Sequence, residues 1–416
     1  MQKTGVLFVV RSFSRTGALP VRFRQIAGCL ATHFDVHILE LTYRKEEART
    51  VNGVRIHSLE YSQAGRIFNP ERSWSVIRTA GVSHSGKPLA VLKRHIRSLL
   101  FPDSVITEVR RLRKEVSRIS LEEGIRVVVL SAFPFSVLLC ARSLKKKIAA
   151  RIILDVGDPF YRNSTNGRVR DWLARRFEKK HLKYIDRLVV SSEAIRNHYL
   201  GSYPFLTPAA VHTVAMGITG SLLQKSNTAG EISPQNKPSG QLRLVYAGQL
   251  YRKMREPFEL YRAVIQMNQV EGQKAVLELY GSFSREFSAG YENADAIRFM
   301  GPVEHDTIDM VYGNADVVVF IDNAYGLQTP GKIFEVAFLK RPVLFIADRV
   351  QSPALDFIRD MKHITVVRNR ADLIGEAIRT ITGRKPEYPS SESVREFLWE
   401  NRAEEYRQII NCLASE

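Results

Sequence analysis

The feature that most constrains the fold is a regular alternation along the chain. Short runs of β-branched and aliphatic residues alternate with longer amphipathic segments almost throughout the 416 residues. Such runs are typical of strands buried on both faces of a parallel sheet, and amphipathic segments are typical of the helices that cover it. The first part of the chain is therefore predicted to be a doubly wound α/β domain. Its predicted strands are 5–10, 36–39, 126–130, 151–156 and 187–192, with helical patterns such as 21–33 and 171–184 between them.

The alternation breaks once and then restarts. Residues 217–240 are rich in Gly, Ser, Asn and Pro, which is typical of a linker. We predict a first domain at 1–216, the linker at 217–240, a second doubly wound domain at 241–385, and a helical tail at 386–416 that packs back on the first domain. Because open α/β sheets bind ligands beyond the carboxyl ends of their strands, two such domains are expected to face a ligand-binding cleft. The predicted strands of the second domain are 242–248, 275–281, 296–301, 316–321, 342–347 and 364–367.

The net charge of +18 is distributed unevenly. Residues 1–220 contain 37 Lys and Arg against 17 Asp and Glu, whereas the rest contains 24 against 26. This asymmetry indicates a basic surface on the first domain, with an anionic membrane or a nucleic acid as the candidate partner. A basic surface that serves solubility alone is the plainer alternative.

Cysteine content and hydropathy favour a cytoplasmic protein. Cys29, Cys140 and Cys412 are odd in number and far apart, which argues against a disulfide framework or a zinc site and favours a reducing compartment. The first apolar run is too short for a signal peptide, and the most apolar later stretch, 127–141, is interrupted by Ser and Pro residues. No membrane span is expected.

The segment 328–346 combines features of an anion site. Thr329 is predicted to cap a helix with Pro330 in its first turn, so the free N–H groups there would attract an anion. Gly331 would let a ligand approach the backbone, Lys332 would add a positive charge, and Glu335 could accept hydrogen bonds from a diol. Phosphate beside a diol suggests a nucleotide. An ordinary capped helix with a Lys332–Glu335 pair explains the same residues.

A second anion-binding feature lies at 245–264, where a strand ending in Gly248 runs into a basic loop and then a helix. Arg252, Lys253 and Arg255 lie just past the carboxyl end of that strand, where a diphosphate would be bound. A solvated basic loop is the alternative. Because no carboxylate pair has the spacing of a metal clamp, we expect these cations to replace a metal ion, and we predict neither a metal nor a cofactor.

These motifs resemble those of the retaining glycosyltransferases of family 4, which have the GT-B fold of two Rossmann-like domains facing a cleft. The resemblance extends over most of the chain and is strongest at 242–347, with the strand–Gly–basic loop, the strand ending in Gly281, and a glutamate-bearing helix before a Pro-led strand. One branch of that family writes the helix as Pro-Ser-Lys-x-x-Glu, matched here by Pro330, Gly331, Lys332 and Glu335.

The resemblance implies a nucleotide-diphosphate sugar as donor and transfer with retention. Glu335 would hold the ribose diol, and Arg252, Lys253 or Arg255 the diphosphate. The backbone at 329–332, including Thr329, would contact phosphate or the donor sugar. The base would lie near Gly281, Pro302 and Val303.

In the first domain the resemblance is looser. Gly17, in the loop after the first strand, would approach the diphosphate. Asp158, in "LDVGDPF", would contact the reacting sugars, and a proline-stabilised turn is its alternative role. The family signature also has two glutamates separated by seven residues, but Leu327 occupies the place of the first, and Gln249 replaces the usual arginine after the strand glycine. The first departure removes a carboxylate from the donor sugar, and the second moves the diphosphate cation to 252–255.

The acceptor is expected on the first domain, where 86–119 has a basic amphipathic pattern. This segment is a candidate for peripheral binding to the inner face of the membrane and suggests a lipid-linked or polysaccharide-precursor acceptor. A helix facing the core is the alternative. Other functions compatible with the sequence are a sugar-nucleotide epimerase, an inactive donor-binding protein, and a nucleic-acid binding protein, which the lack of a recognition motif makes unlikely.

Overall fold

The chain forms two compact units. The computed structural model describes residues 3–14, 18–44, 46–69, 99–148, 150–163, 166–220, 241–270, 274–303, 307–383 and 385–415. The first unit comprises Met1–Gly217 together with Trp399–Glu416, and the second comprises Ile218–Leu398.

The first unit is built on an eight-stranded sheet in which only the edge strand β3 is antiparallel to its neighbour. The sheet order is β3-β4-β2-β1-β5-β6-β7-β8. All five predicted strands are present, whereas β3, β4 and β8 were not predicted. The strands are β1 (Gly5–Val10), β2 (Asp35–Thr42), β3 (Arg49–Val51), β4 (Val54–Glu60), β5 (Ile125–Ser131), β6 (Arg151–Val156), β7 (Arg187–Val190) and β8 (Val211–Thr213).

Helices cover this sheet, and the described part of the unit also contains short 3₁₀ turns at Ser104–Glu108, Phe135–Val137, Leu182–Tyr184 and Pro208–Ala210. The last helix of the chain, Trp399–Ser415, packs on the first helix of this unit and contributes Trp399 and Tyr406 to its core. The other helices of the unit are α1 (Ala18–Leu30), α2 (Gln63–Phe68), α3 (Val109–Glu122), α4 (Leu138–Lys147), α5 (Arg168–His181) and α6 (Glu193–Ser202).

The second unit is a fully parallel six-stranded sheet in the order β11-β10-β9-β12-β13-β14. Counted from its own first strand this is the order 3-2-1-4-5-6, so the topological switch point lies between β9 and β12. Its strands are β9 (Gln241–Ala247), β10 (Lys274–Tyr280), β11 (Ile297–Gly301), β12 (Val317–Ile321), β13 (Val343–Ala347) and β14 (Ile364–Arg368). Its helices are α7 (Phe258–Asn268), α8 (Arg285–Ser288), α9 (Ile308–Gly313), α10 (Lys332–Val336), α11 (Pro353–Ile358), α12 (Ala371–Thr382) and α13 (Ser391–Arg395).

The C-terminal helix is held to the first unit by a buried polar network. The Tyr406 hydroxyl donates to Asp155 Oδ2 (2.6 Å), and the Arg22 guanidinium reaches the same oxygen from α1 (3.1 Å). The chain rejoins the first unit at Trp399, later than the start at 386 that the sequence suggested for the tail. Among the described residues, no helix combines the length and the apolar character needed to cross a bilayer.

Candidate functional site

Two segments meet at the switch point of the second sheet: the loop that follows β9 and the segment that follows β12. These are the regions in which the sequence placed the basic loop and the Lys332–Glu335 helix. Parallel strands end at the same edge of the sheet, so the topology itself brings the two segments together. Three hydrogen bonds join them: Lys332 Nζ to Ala247 O (3.1 Å), Arg255 Nη2 to Asn323 Oδ1 (2.7 Å), and Ala324 N to Met254 O (2.8 Å).

Arg255 is the most firmly held cation of the loop. Its Nη1 donates to the carbonyl oxygen of Gln249 (3.1 Å), to which the Tyr246 hydroxyl also donates (2.9 Å). Its Nε is buried without a hydrogen-bond partner in the described part of the chain. The guanidinium is therefore fixed beside the end of β9, next to Gln249.

Arg252 and Lys253 are exposed on the tip of the same loop. Lys253 has a positive φ of 63°, and its amide donates to Glu256 Oε1 (2.8 Å). Arg252 lies 3.6 Å from Glu286 Oε2, a distance that allows only a weak ion pair in water. Both side chains thus remain accessible to a ligand from solvent.

Lys332 and Glu335 lie together at the other side of the switch point. Lys332 as a residue is exposed, but its ammonium group is crowded by protein atoms, and this desolvation lowers its pKa. Glu335 opposes the effect and raises the pKa of Lys332, whereas Arg255 lowers it further. Glu335 is half-buried rather than sealed in the core. Lys332 and Arg255 are thus neighbouring cations that repel each other, and a bound polyanion would stabilise both charges.

The predicted capped helix is wrong in two respects. Gly331 is the N-cap of α10 and makes no side-chain capping bond, so Thr329 does not cap the helix and Pro330 precedes it. The Thr329 hydroxyl is instead buried without a hydrogen-bond partner in the described part of the chain. Moreover, α10 has only five residues, so few peptide dipoles are aligned to attract an anion. The positive charge at this site comes mainly from side chains.

Three glycines close the neighbouring edge of the sheet. The Gly248 amide donates to Tyr280 O (2.9 Å), and the Gly281 amide donates to Gly301 O (2.9 Å). A Cβ atom at Gly281 would lie 2.2 Å from the carbonyl oxygen of Gly248, so only glycine fits there. The ends of β9, β10 and β11 thus form a tightly packed backbone surface, and Pro302 and Val303 directly follow it.

Sequence reasoning missed Asp322 and Arg349, which follow β12 and β13 at the same edge of the sheet. Asp322 is 3% exposed, and Arg349 Nε lies 3.6 Å from its Oδ2. Arg349 also donates from Nη1 to the carbonyl oxygen of Gly326 (2.7 Å). The pair therefore ties down the segment between β12 and α10. The position of each residue just after a buried strand is the signal that could have revealed them.

In the first unit, Asp158 lies two residues beyond β6, also at the carboxyl edge of its sheet. Its side chain is exposed, yet the surrounding protein desolvates the carboxyl group and raises its pKa to about 6. The turn that follows it is held by Glu178, which accepts from the amides of Phe160 (3.2 Å) and Tyr161 (3.3 Å).

Glu178 is itself fully enclosed by donors. The hydroxyls of Tyr199 and Tyr203 each donate to it at 2.6 Å. Burial nevertheless raises the pKa of Glu178 to about 7, because desolvation outweighs the four donors. This network holds the turn that directly follows Asp158.

Two other predicted features fall partly or wholly outside the described residues. Gly17 lies outside them, as do 86–98 of the proposed membrane segment. In the described part of that segment, α3 buries Val109, Leu112, Val116 and Ile119 in the core. The apolar stripe of 109–119 therefore faces the core. Most of the apolar positions on which the membrane interpretation rested lie before residue 99, outside the described residues, so that interpretation stays a prediction.

The first unit also contains a cluster of potential metal ligands, His37, His57 and Glu123. His37 Nδ1 and His57 Nε2 are 3.0 Å apart, with ring centroids 5.3 Å apart and planes inclined by only 9°. These values place the rings in line with their nitrogens facing each other, as in an N–H···N hydrogen bond, whereas ligands of a tetrahedral metal must converge on one point. Glu123 is paired with Arg55. The cluster is thus explained as a hydrogen-bonded pair beside an ion pair.

Two doubly wound units in one chain are the architecture of the GT-B fold, and the predicted fold class is confirmed. The chain is similar to sucrose-phosphate synthase from Thermosynechococcus elongatus, with a TM-score of 0.67 and 16% identity over 99% of this chain and 100% of that one. It is also similar to HepE from Anabaena, solved in complex with UDP and glucose, with a TM-score of 0.60 and 10% identity over 98% and 99% of the two chains.

A third similar structure is the UDP-GlcNAc 2-epimerase from Methanocaldococcus jannaschii, with a TM-score of 0.54 and 12% identity over 99% of both chains. No protein-family model and no curated protein matches the sequence. At these low identities the likenesses establish the fold.

Proposed function

We propose that the protein is a glycosyltransferase that moves a sugar from a nucleotide-diphosphate donor to a hydroxyl acceptor. The observation that carries this proposal is the convergence of Arg255, Lys332 and Glu335 at the switch point of the second unit. Two cations held by backbone carbonyl oxygens suit a diphosphate, and a half-buried carboxylate beside them suits the ribose diol. Arg252 and Lys253 add exposed positive charge at the tip of the loop.

The same site explains how transfer is promoted. The bond between the anomeric carbon and the terminal phosphate oxygen breaks, and the electron pair leaves with the diphosphate. The fixed cations stabilise this developing charge without reorganising, which is electrostatic catalysis. The acceptor hydroxyl forms the new bond to the anomeric carbon, and its proton passes to the departing phosphate oxygen. The resemblance to family 4 supports attack from the face of the leaving group, and hence retention.

The rest of the donor is assigned by position. The backbone surface at Gly248 and Gly281, with Pro302 and Val303 beside it, would contact the base. The backbone at 329–332, where Gly331 leaves room, would contact the sugar or its phosphate. Leu327 offers no carboxylate to the donor sugar, so the sugar would be held largely by backbone groups. Asp158 would contact the reacting sugars from the first unit.

The acceptor side is proposed from the charge of the first half of the chain. The proposed acceptor is lipid-linked or a polysaccharide precursor and lies at the cytoplasmic face of a membrane. The anionic surface of that membrane would attract this basic unit. We place the protein in the cytoplasm with peripheral attachment to that surface.

An epimerase is the second candidate, because one of the similar structures is a UDP-GlcNAc 2-epimerase. The two functions differ in their products. An epimerase converts the nucleotide sugar without any acceptor, whereas a transferase releases nucleoside diphosphate in proportion to glycosylated acceptor. Nuclear magnetic resonance of each nucleotide sugar incubated with the protein alone would detect epimerisation directly.

The proposal is tested by thermal unfolding in the presence of nucleoside diphosphates and their sugars. A true donor should stabilise the protein by an amount that rises with the logarithm of its concentration over its dissociation constant, and replacement of Glu335 should weaken that effect. Loss of an exposed carboxylate elsewhere in the second unit, as in Glu376→Ala, is the matched control. If no nucleotide stabilises the protein, the proposed donor site is wrong.

A further inference from the structure

The outer face of α5 has a composition that the proposed reaction does not require. Eight of its side chains are exposed, while Ala174, Phe177 and Glu178 are buried against the unit. At 100° per residue the exposed positions cover one continuous side of the helix. They are Arg168, Val169, Trp172, Leu173, Arg175, Arg176, Lys179 and Lys180.

This face is strongly basic and has no exposed acid to balance it. Five of the eight exposed side chains are Lys or Arg. The two acids of the helix are otherwise engaged, because Asp171 accepts from the Arg162 amide (2.6 Å) and Glu178 is buried among its four donors. A helix that served only to cover the sheet would gain nothing from such a concentration of like charge.

The same face exposes three large apolar side chains. Val169 is 75% exposed, Trp172 56% and Leu173 36%, at helical spacing i, i+3 and i+4. The guanidinium carbon of Arg176 lies 5.0 Å from the centre of the Trp172 ring, so the indole stands among the cations. Burial of these side chains would be favourable by the hydrophobic effect, and in the described structure they are left in water.

A neighbouring stretch of chain adds to the apolar surface. Arg170 Nη2 donates to Pro102 O (2.5 Å), and the Phe101 ring packs edge-on against Phe177 of α5 (5.7 Å between centroids). Leu99, two residues before Phe101, is 80% exposed. The described end of the segment 86–119 therefore lies along α5, although α3 itself faces the core.

We propose that the outer face of α5 docks the protein on an anionic lipid surface. A helix that lies in the membrane interface combines Lys and Arg with Trp and aliphatic side chains, and Trp is favoured at the level of the head groups. The five basic residues would contact lipid phosphates while Val169, Trp172 and Leu173 enter the acyl boundary. A nucleic acid would also attract the cations, but it offers no apolar phase for the valine and leucine.

The inner side of the same helix connects this surface to the candidate site. Glu178 of α5 holds the turn that presents Asp158, so one short helix carries both the docking face and the support of that turn. If the protein is a glycosyltransferase as proposed above, docking would also bring the hydroxyl of a lipid-linked acceptor to the carboxyl edge of the first sheet. This second step rests on the proposed function. The docking itself requires no glycosyl transfer and can be tested without it.

The test is binding of the full chain to vesicles of phosphatidylcholine with and without phosphatidylglycerol. We expect sedimentation with the anionic vesicles at low salt, release at high salt, and little binding to phosphatidylcholine alone. The test uses a Trp74→Phe background, so that Trp172 and Trp399 are the tryptophans that remain. Tryptophan emission should shift to the blue on binding, and the shift should be lost on adding Trp172→Phe, because Trp399 is 3% exposed. No binding to anionic vesicles at low salt, or an unchanged shift in Trp172→Phe, would overturn the proposal.

Charge placement is tested with matched pairs of substitutions. Arg176→Gln with Lys180→Gln should reduce vesicle affinity at least tenfold, whereas Lys146→Gln with Lys147→Gln, at the exposed end of α4, removes the same charge and should have a much smaller effect. Equal losses from both pairs would indicate a diffuse attraction and refute a specific face. A mobility shift with RNA that is sensitive to the α5 pair, without vesicle binding, would assign the face to nucleic acid. Nucleotide-induced stabilisation should be normal in both pairs, which separates failure of docking from failure of the donor site.

Discussion

Replacement of Glu335 by alanine tests whether the convergence at the switch point binds a nucleotide. A ligand at a hundred times its dissociation constant stabilises the folded state by about 2.7 kcal/mol. For a unit of this size that corresponds to an increase of ~5–10 °C in the unfolding temperature. The wild-type protein should show this increase with its true donor.

The expected loss follows from the position of Glu335. Its carboxylate is half-buried, so a hydrogen bond from a ribose hydroxyl to it should contribute about 1.5–3 kcal/mol. A loss of about 2.7 kcal/mol weakens binding a hundredfold, and the same ligand concentration then stabilises Glu335→Ala by only about 0.4 kcal/mol. The increase in unfolding temperature should fall to ~1–2 °C.

The assay is differential scanning fluorimetry across a titration of each nucleotide sugar, with Glu376→Ala as control. The substitution should also lower the pKa of Lys332 further, because Glu335 raises it in the wild type. As pH rises, Lys332 should therefore lose its positive charge at a lower pH in Glu335→Ala than in the wild type. Nucleotide binding by the variant should begin to weaken at that lower pH. If the nucleotide sugar stabilises Glu335→Ala as much as it stabilises Glu376→Ala and the wild type, Glu335 forms only a structural pair with Lys332. The assignment of Glu335 to the ribose diol would then be wrong.

Three further predictions concern stability. Gly281→Ala should lower the free energy of unfolding, measured with a chemical denaturant, by ~3 kcal/mol, because its Cβ would lie 2.2 Å from the carbonyl oxygen of Gly248. The control Gly375→Ala on α12 should be close to neutral, and equal effects of the two substitutions would contradict the packing argument. The free energy of unfolding should fall by up to ~3 kcal/mol as pH rises from 4.5 to about 7, because the pKa of Glu178 is raised in the folded state. The folded chain then holds the proton of Glu178 to a higher pH than the unfolded chain does. Glu178→Gln should remove this pH dependence, and an unchanged dependence would show that Glu178 is ionised in the folded state. Tyr406→Phe should cost about 1–2 kcal/mol by removing the hydroxyl that donates to buried Asp155, and a neutral result would mean that water replaces it.

The sequence predicted the fold well where burial is uniform. The bounds of β1 and β6 coincide with the predicted runs, because strands covered on both faces are continuously apolar. Strands β3 and β8 have three residues each, and β4 alternates between buried and partly exposed positions, so no continuous run marks them. The chain's return at Trp399 also differs from the suggested start at 386, because Val394 is still buried in the second unit.

The candidate site was predictable in place but less so in detail. The basic loop and the Lys332–Glu335 segment were found because both follow strands that flank the switch point. The contacts of the segment before α10 with Met254 and Arg255 were not predictable, because those residues are far away in sequence. Asp322 and Arg349 each follow a predicted strand, which could have marked them as residues of the sheet edge, but only the fold shows that they lie within 3.6 Å of each other.

The return of the last helix to the first unit has a consequence for synthesis on the ribosome. Trp399, Tyr406, Ile410 and Leu413 belong to the same core as β1 and α1. The domain that emerges first can therefore not complete its interior until residues 399–413 have been made. A nonsense mutation at codon 399 would damage the amino-terminal domain, while leaving the later-made domain with all of its own residues.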